Sequence, residues 1–286
     1  MLIYDYNGIA LGSIIANRNL NQDLVRHMIL NTIRMYRQKF PRKDYGDIVI
    51  AADGANNWRR GAFPQYKASR RKSRDSSDFD WNEAFRILNE VREEIKENFP
   101  YKVIHMEGCE ADDVIGTLVE NTQEFGNYEN VMIISADKDF AQLQRFDNVK
   151  QFSPLTKKHI VEKTPKYTLL THVLKGDTSD GVPNVLSNDD VFVEGLRQTP
   201  VSAKKLDAMI QELESFGDDT PENPPSWYRN YQRNRRLIDL TYTPNHLKEN
   251  ILQEYSKEPI GKGALVLPYL INKKCKMLIE VASEFN

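Results

Sequence analysis

Val131-Met132-Ile133-Ile134-Ser135-Ala136-Asp137-Lys138-Asp139 is an apolar run that ends on two carboxylates. Its first four residues show no polar alternation, the mark of a strand buried on both faces. The same pattern recurs on either side of it in the chain. Leu2-Ile3-Tyr4 runs into Asp5, and Ile48-Val49-Ile50-Ala51-Ala52 runs into Asp53. A further short strand over Lys102–Met106 leads to Glu110-Ala111-Asp112-Asp113, where a helix over Ala111–Val119 begins. The intervening segments have helical spacing. Leu24, Met28 and Ile29 share one face of a helix through Leu20–Phe40. Asp80, with Glu83 placed as in a capping box, opens another whose stripe is Phe85, Leu88, Val91 and Ile95. Strands that alternate with helices predict an α/β fold: a central, mainly parallel sheet flanked by helices.

From about Lys166 the strand signals give way to helices and loops. Ser202 can cap a helix with the stripe Leu206, Met209, Ile210 and Leu213. Gly217–Pro225 is acidic and proline-rich, hence a surface loop, and a last helical region covers Val266–Phe285. The expected organisation is an α/β core over residues 1–164 and a smaller helical C-terminal domain over 165–286.

With 286 residues, 40% hydrophobic and 28% charged, the chain can bury a substantial core and is not a disordered polymer. The net charge of −2 by itself suggests no polyanionic partner, but it conceals segregated charge. Cys109 and Cys275 lie too far apart in sequence to suggest a zinc ribbon or disulfide framework, and the five histidines are scattered, so an imidazole metal site is not expected. Met1–Ala10 has no basic n-region, and no apolar run reaches membrane-span length; a cytoplasmic protein without membrane contact is expected.

Ligands of an open parallel sheet bind beyond the carboxyl ends of its strands. Asp5, Asp53, Glu110, Asp112, Asp113, Asp137 and Asp139 should therefore converge on one edge. Taken singly, each is an ordinary turn or cap residue. Taken together they conflict, since two carboxylates about 4 Å apart repel by roughly 4 kcal/mol at an effective dielectric near 20. Cations resolve the conflict, and oxygen-only donors select Mg²⁺ or Mn²⁺ over zinc. A pair of such ions suits in-line attack on a phosphodiester.

Between Trp58 and Arg74 lie Arg59, Arg60, Lys67, Arg70, Arg71, Lys72 and Arg74, interleaved with Trp58, Phe63 and Tyr66 and free of acids. A solvated loop is the ordinary fate of such a run. Cations next to stacking rings also suit a single nucleic-acid strand, and the acid cluster favours that reading. Arg229, Arg233, Arg235 and Arg236, alternating with Tyr228 and Tyr231, read equally as a second contact or as a solvated helix face.

Four motifs in order carry a resemblance: Arg59 ahead of Tyr66-Lys67-x-x-Arg70; Glu110-Ala111-Asp112-Asp113-Val114-Ile115; Ser135-Ala136-Asp137-Lys138-Asp139-Phe140-Ala141-Gln142-Leu143; and Gly176-Asp177-Thr178-Ser179-Asp180. Together they resemble the 5′ nuclease family of flap endonucleases and the 5′-nuclease domains of bacterial polymerases. The likeness is greatest to its T-even bacteriophage ribonuclease H branch and extends through Val149–Pro154 and Leu237-Ile238-Asp239. It implies a two-metal phosphodiesterase that removes RNA primers and short 5′ flaps during lagging-strand replication, with DNA and RNA–DNA hybrid as substrates. It implies two Mg²⁺, replaceable by Mn²⁺, among Asp5, Asp53, Glu110, Asp112, Asp113, Asp137, Asp139, Asp177 and Asp180. Asp5, Asp53, Asp112 and Asp137 would serve the first ion, and Asp139, Asp177 and Asp180 the second. Lys67 joins the catalytic set, and Arg59, Arg60, Tyr66, Lys67, Arg70, Arg71, Lys72 and Arg74 would meet nucleic acid.

Two departures from the family pattern stand out. Val185–Leu196 lacks the glycine-rich hairpin turn that grips duplex phosphates and K⁺ and carries Asp189, Asp190 and Glu194 instead, leaving Lys204 and Lys205 as substitutes for that grip. Asp5 lies almost at the chain start, which puts a sliding-clamp contact in question. A single-stranded-DNA-binding protein and the clamp are the implied replisome partners of an otherwise monomeric enzyme. A non-catalytic DNA-binding relative would need a lost ligand, and none is lost. A phosphatase for small esters would leave Arg59–Arg74 without a role.

Overall fold

The computed structural model describes residues 1–17, 20–124, 128–217 and 220–286, apart from the side chains of 16, 17, 71–73 and 75. Six strands form one sheet: β1 (Leu2–Asp5), β2 (Ile48–Ala52), β3 (Lys102–His105), β4 (Val131–Ile134), β5 (Val149–Ser153) and β6 (Lys158–Ile160), in the order β3-β2-β1-β4-β5-β6. All neighbouring pairs are parallel except β5–β6. The chain moves outward from β1 to β3 and then returns to β4 on the other side of β1. The two directions of winding part between the carboxyl ends of β1 and β4, where Asp5 and Ser135 lie.

This is the expected α/β fold, with two strands more than the sequence reading found. Val149-Lys150-Gln151-Phe152 has only a partial apolar pattern, and β6 is a short, partly exposed edge. The helices are α1 (Tyr6–Asn17), α2 (Gln22–Lys39), α3 (Arg42–Tyr45), α4 (Trp58–Ala62), α5 (Ala68–Asp75), α6 (Trp81–Asn98), α7 (Ala111–Asn121), α8 (Pro165–Lys175), α9 (Ala203–Phe216), α10 (Tyr228–Ile238), α11 (Asn245–Ser256), α12 (Gly263–Asn272) and α13 (Lys276–Ile279). The acidic loop expected over Gly217–Pro225 lies partly outside the described residues.

Alternation along the strands builds a core on each face of the sheet. Leu2, Tyr4, Ile48, Ile50 and Ala52 pack with α1, α2 and α6, whereas Ile3, Val49, Ala51 and Ile133 pack with α7 and α11. A third core joins α8, α9 and α10 to Phe63 and Tyr66. The chain after residue 164 thus enters all three cores. Val266, Leu270, Leu278 and Phe285 complete the first, and Leu240, Leu247 and Ile251 the second. Residues on both sides of the expected 164/165 boundary therefore share each core, and the Lys67 N–H on Asp180 O, at 2.7 Å, ties the loop after α8 to the basic segment.

Candidate metal centre and nucleic-acid interface

Asp5 is the last residue of β1. Its Oδ1 accepts the Gly8 N–H at 3.0 Å and its Oδ2 accepts the Ser135 hydroxyl at 2.8 Å. A Cβ on Gly8 would sit 2.4 Å from Asp5 Oδ2, so α1 can start beneath this carboxylate only because residue 8 has no side chain. Asp53, just past β2, accepts the Ala111 N–H of the first turn of α7 at 2.9 Å and the Asn7 amide at 2.9 Å. Asp137, just past β4, caps the short 3₁₀ helix Lys138–Arg145 by accepting the Asp139 N–H at 2.9 Å. Asp112 lies in the first turn of α7.

These carboxyls repel one another. Burial, with Asp53 and Asp137 adding negative charge, pushes Asp5 up to about 6. Burial and the neighbouring Glu110 raise Asp53. Burial, then Glu110 and Asp137, hold Asp112 well above the ordinary carboxylate range. Burial and Asp137 push Asp139 up to about 7.

A second group forms where α8 ends. His172 Nδ1 lies 3.4 Å from Asp139 Oδ1, and its Nε2 lies 3.0 Å from Asp177 Oδ2. Ligand atoms of Asp139, His172 and Asp177 all fall within 4.8 Å of one another. Asp177 also meets Lys138 Nζ at 2.9 Å and accepts the Ser179 N–H at 2.8 Å. Burial opposes its charge, but the His172, Ser179 and Lys138 donors prevail and hold it well below the usual range. Gly176, at φ +69°, makes the turn; a Cβ there would sit 2.4 Å from Val182 O. His172 lies between two of the expected metal-site acids, a place that the scattered histidines of the sequence do not suggest for an imidazole. The signal available in the sequence was its place five residues ahead of Asp177 on a helix leading into Gly176-Asp177.

The basic segment divides sharply. Arg59 is 2% exposed. Its guanidinium donates to Asp113 Oδ2 at 2.9 Å and to Leu237 O at 2.9 Å, and lies 3.4 Å from Glu110 Oε2. It cannot also reach a phosphate, which corrects its expected role. Asp113, fully buried, was expected among the metal ligands. Its oxygens instead accept from Trp58 Nε1, Thr243 Oγ1, Arg59 and the Glu110 N–H, at 3.1, 2.8, 2.9 and 2.8 Å. No lone pair is left pointing at a cation, so Asp113 is an anchor for Arg59. Tyr66 is likewise buried. Its hydroxyl bridges Glu110 at 2.8 Å and Asp180 at 2.9 Å, so its ring is not a stacking platform.

Lys67 sits at φ +54°, with its N–H on Asp180 O at 2.7 Å and its ammonium 2.5 Å from Glu110 Oε1 and 3.5 Å from Asp180 Oδ2. Burial works against the charge on Glu110, but Lys67 and Arg59 hold its carboxyl below the usual range. Arg70 is 2.5 Å from Asp180 Oδ1 and still reaches solvent. Arg60 is exposed, and Arg74 is half-buried over the Trp81 and Phe85 rings at 5.5 and 4.9 Å. The side chains of Arg71 and Lys72 lie outside the described residues. Lys204 and Lys205 are exposed in the first turn of α9, whose cap is Ser202. Arg229 and Arg233 both pair with Asp189, so half of that second basic cluster is spent on the 185–196 turn.

Divalent cations fit this edge. Asp139 Oδ1 is buried and makes no hydrogen bond, His172 Nδ1 at 3.4 Å only partly offsets its surroundings, and the neighbouring carboxyls repel it. Such an arrangement is costly unless positive charge enters it.

The comparisons agree with the geometry. The model of the 5′-3′ exonuclease N-terminal resolvase-like domain matches residues 13–169, and that of the T4 RNase H C-terminal domain matches residues 163–285. Ribonuclease H of Enterobacteria phage T4 is 32% identical over 294 residues, covering 99% of this chain and 95% of that protein. A 5′-3′ exonuclease of Buchnera aphidicola is 28% identical, covering 68% of each. Among solved structures, the bacteriophage T5 5′-exonuclease with zinc bound superposes with a TM-score of 0.63 at 18% identity, covering 99% of both chains. The T5 flap endonuclease solved with DNA and metal ions gives 0.63 at 17% identity, covering 99% of this chain and 98% of that one. Those two structural matches speak for the fold. With the family models and the full-length identity to the T4 enzyme, they establish that this chain is a nuclease of the 5′-3′ exonuclease family.

Proposed function

We propose that the chain hydrolyses phosphodiesters with two Mg²⁺, for which Mn²⁺ substitutes, at the acid-lined edge of the sheet. The observation that carries this reading is the set of mutually repelling carboxyls around Asp139, whose buried Oδ1 makes no hydrogen bond and has the His172 ring nitrogen at 3.4 Å. Asp5, Asp53, Asp112 and Asp137 would hold the first ion, and Asp139, Asp177 and Asp180 the second, with His172 linking Asp139 to Asp177. When bound, the cations supply an activated water and charge stabilisation at the leaving oxygen. Asp113 and Arg59 fix the start of α7, and with it Glu110 and Asp112, in place. The Lys67 ammonium, between Glu110 and Asp180, would turn to the reacting phosphate and stabilise its developing charge. Arg70 would hold the strand at the mouth.

The substrates would be RNA–DNA hybrids, 5′ flaps and nicked duplex DNA, consistent with primer removal in replication. Arg60, Arg70, Arg71, Lys72, Arg74, Lys204 and Lys205 would provide the electrostatic contacts; Arg59 and Tyr66 are excluded by burial. Action as a monomer in the cytoplasm, with a single-stranded-DNA-binding protein and a sliding clamp as partners, belongs to the same proposal. Among the described residues no helix is long and apolar enough to cross a membrane.

End-labelled 5′-flap, nicked-duplex and RNA–DNA hybrid substrates, with and without Mg²⁺, test this reading. Mg²⁺-dependent release of short 5′ products is expected. Cleavage that persists in EDTA, or no cleavage of any substrate, would refute it.

A further inference from the structure

The acid-lined edge opens on one side into a groove of about 460 Å³ that none of the roles above uses. Asp5 and Asp137 stand at one end. Ile9 and Gly12 of α1, Met35 of α2, and Pro154 and Leu155 of the β5–β6 turn form its walls, and Lys157 of the same turn is an exposed cation on its rim. Met35 is 44% and Leu155 82% exposed, so two large apolar side chains of the lining face solvent. Gly12 leaves the α1 bank bare: a Cβ there would meet nothing within 4 Å.

We infer that this groove receives the nucleoside flanking the phosphate under attack, with its sugar and base against the apolar walls. The inference rests on the nuclease reading above. Three observations select this occupant. First, the groove is continuous with the acid cluster through Asp5 and Asp137, so whatever fills it is joined to the group at the metals. Second, its lining is mainly apolar between two charged regions, the carboxylates of Asp5 and Asp137, where the proposed cations would sit, and the ammonium of Lys157. A nucleic-acid strand has the complementary order of phosphate, apolar sugar and base, and phosphate. Third, the lining hydroxyls of Ser13, Thr32 and Tyr36 donate to the backbone carbonyls of Ile9, Met28 and Pro154 rather than standing free to read base edges, so the wall would accept any base by its face, as nonspecific strand binding requires. An unbranched methionine on one bank adapts to bases of different size. An apolar side chain of a protein partner would make no use of the charged ends.

Gly12→Leu tests the inference because it fills the groove from a position with free space, and leucine favours a helix over glycine. The melting temperature should be unchanged or higher. On a 5′-flap substrate with Mg²⁺, kcat/KM should fall at least tenfold. Leu155→Glu, at an exposed turn position, should raise KM several-fold by placing a carboxylate against the strand. A binding readout avoids turnover: 2-aminopurine is placed on each side of the scissile phosphate in turn, with EDTA present. Its emission should change on binding wild type at one of the two positions, and that change should be absent with Gly12→Leu. If wild type cuts the flap and Gly12→Leu cuts it equally well, or if both give the same emission change, the groove assignment falls while the nuclease reading stands. If wild type cuts no substrate at all, both fall together.

Discussion

Two sets of acids meet at the same sheet edge, and they are treated in opposite ways. Glu110 and Asp113 are answered by protein donors: Arg59, Lys67, Tyr66, Trp58 and Thr243. Asp5, Asp112 and Asp139 face mainly other carboxyls, and burial with that repulsion raises all three. The first set is neutralised within the chain and acts as scaffold. The second set is left in deficit, which is why the proposed cations are assigned to it. Paired buried charges confer little net stability but are costly to break, whereas unpaired ones mark function.

The largest expected effect lies among the proposed ligands of the first ion. Asp112→Asn or Asp137→Asn should lower cleavage of a 5′-flap substrate by about 10³-fold or more, since one ligand and its charge are removed from the transition state. DNA affinity should hold or rise, because a negative charge facing phosphate is gone. Wild-type turnover in either variant would show that the comparison assigns these acids wrongly.

Breaking the paired set should damage the fold instead. Arg59→Met leaves Asp113 and Glu110 without their buried cation and should cost roughly 3–5 kcal/mol of stability, read from urea or thermal melts. Arg60→Met, one residue on and exposed, should stay within about 0.5 kcal/mol of wild type. Equal losses in the two variants would erase the distinction between inward and outward halves of this segment.

A subtler effect concerns pH. Asp5 and Asp139 have folded-state pKa values raised from the ordinary 3.8 to about 6 and about 7. Between those limits the folded chain binds more protons than the unfolded one, so stability in EDTA should fall as pH rises from about 4 to about 7. The lowered Glu110 and Asp177 act the other way, losing their contribution as pH falls below the ordinary carboxylate range. Millimolar Mg²⁺ should remove most of the decline on the alkaline side by binding the folded state. Melting curves at pH 5, 6, 7 and 8, with and without the ion, check this; identical curves would count against a cation site.

The smallest effect belongs to the periphery. Lys204→Ala with Lys205→Ala should leave turnover at saturation unchanged. The slope of log affinity against log salt should flatten by about 0.7–0.9 for each phosphate that no longer meets a lysine ammonium. An unchanged slope would remove the start of α9 from the interface.

The acids after β1, β2 and β4 were legible because an unbroken apolar run fixes a buried strand, and the residue after it then lies at the sheet edge. The capped helix at Ser202 was legible for a similar local reason, and all four residues of its stripe are buried. Arg59 and Tyr66 were misread because a charge run does not show which cation turns inward. That depends on Asp113, Leu237 and Asp180, which are remote in sequence. His172 was overlooked because it acts only after α8 carries it between two carboxyls. The return of α12 and α13 to the first core was hidden for the same reason: an apolar stripe announces that it will be covered, but not by which element.

The Tyr66 hydroxyl, bonded to both Glu110 and Asp180, has a consequence for how this protein comes into being. It ties three stretches of chain that leave the ribosome at different times, and Asp177 and Asp180 follow all the strand-end acids. A chain synthesised only as far as β4 lacks both, and lacks Leu240, Leu247, Ile251, Val266 and Leu270, which complete the cores on the two faces of the sheet. Cutting power would therefore arrive only once α8 and its loop have docked. On the proposed ligand set, an enzyme that attacks nucleic acid would gain its activity only as its fold closes.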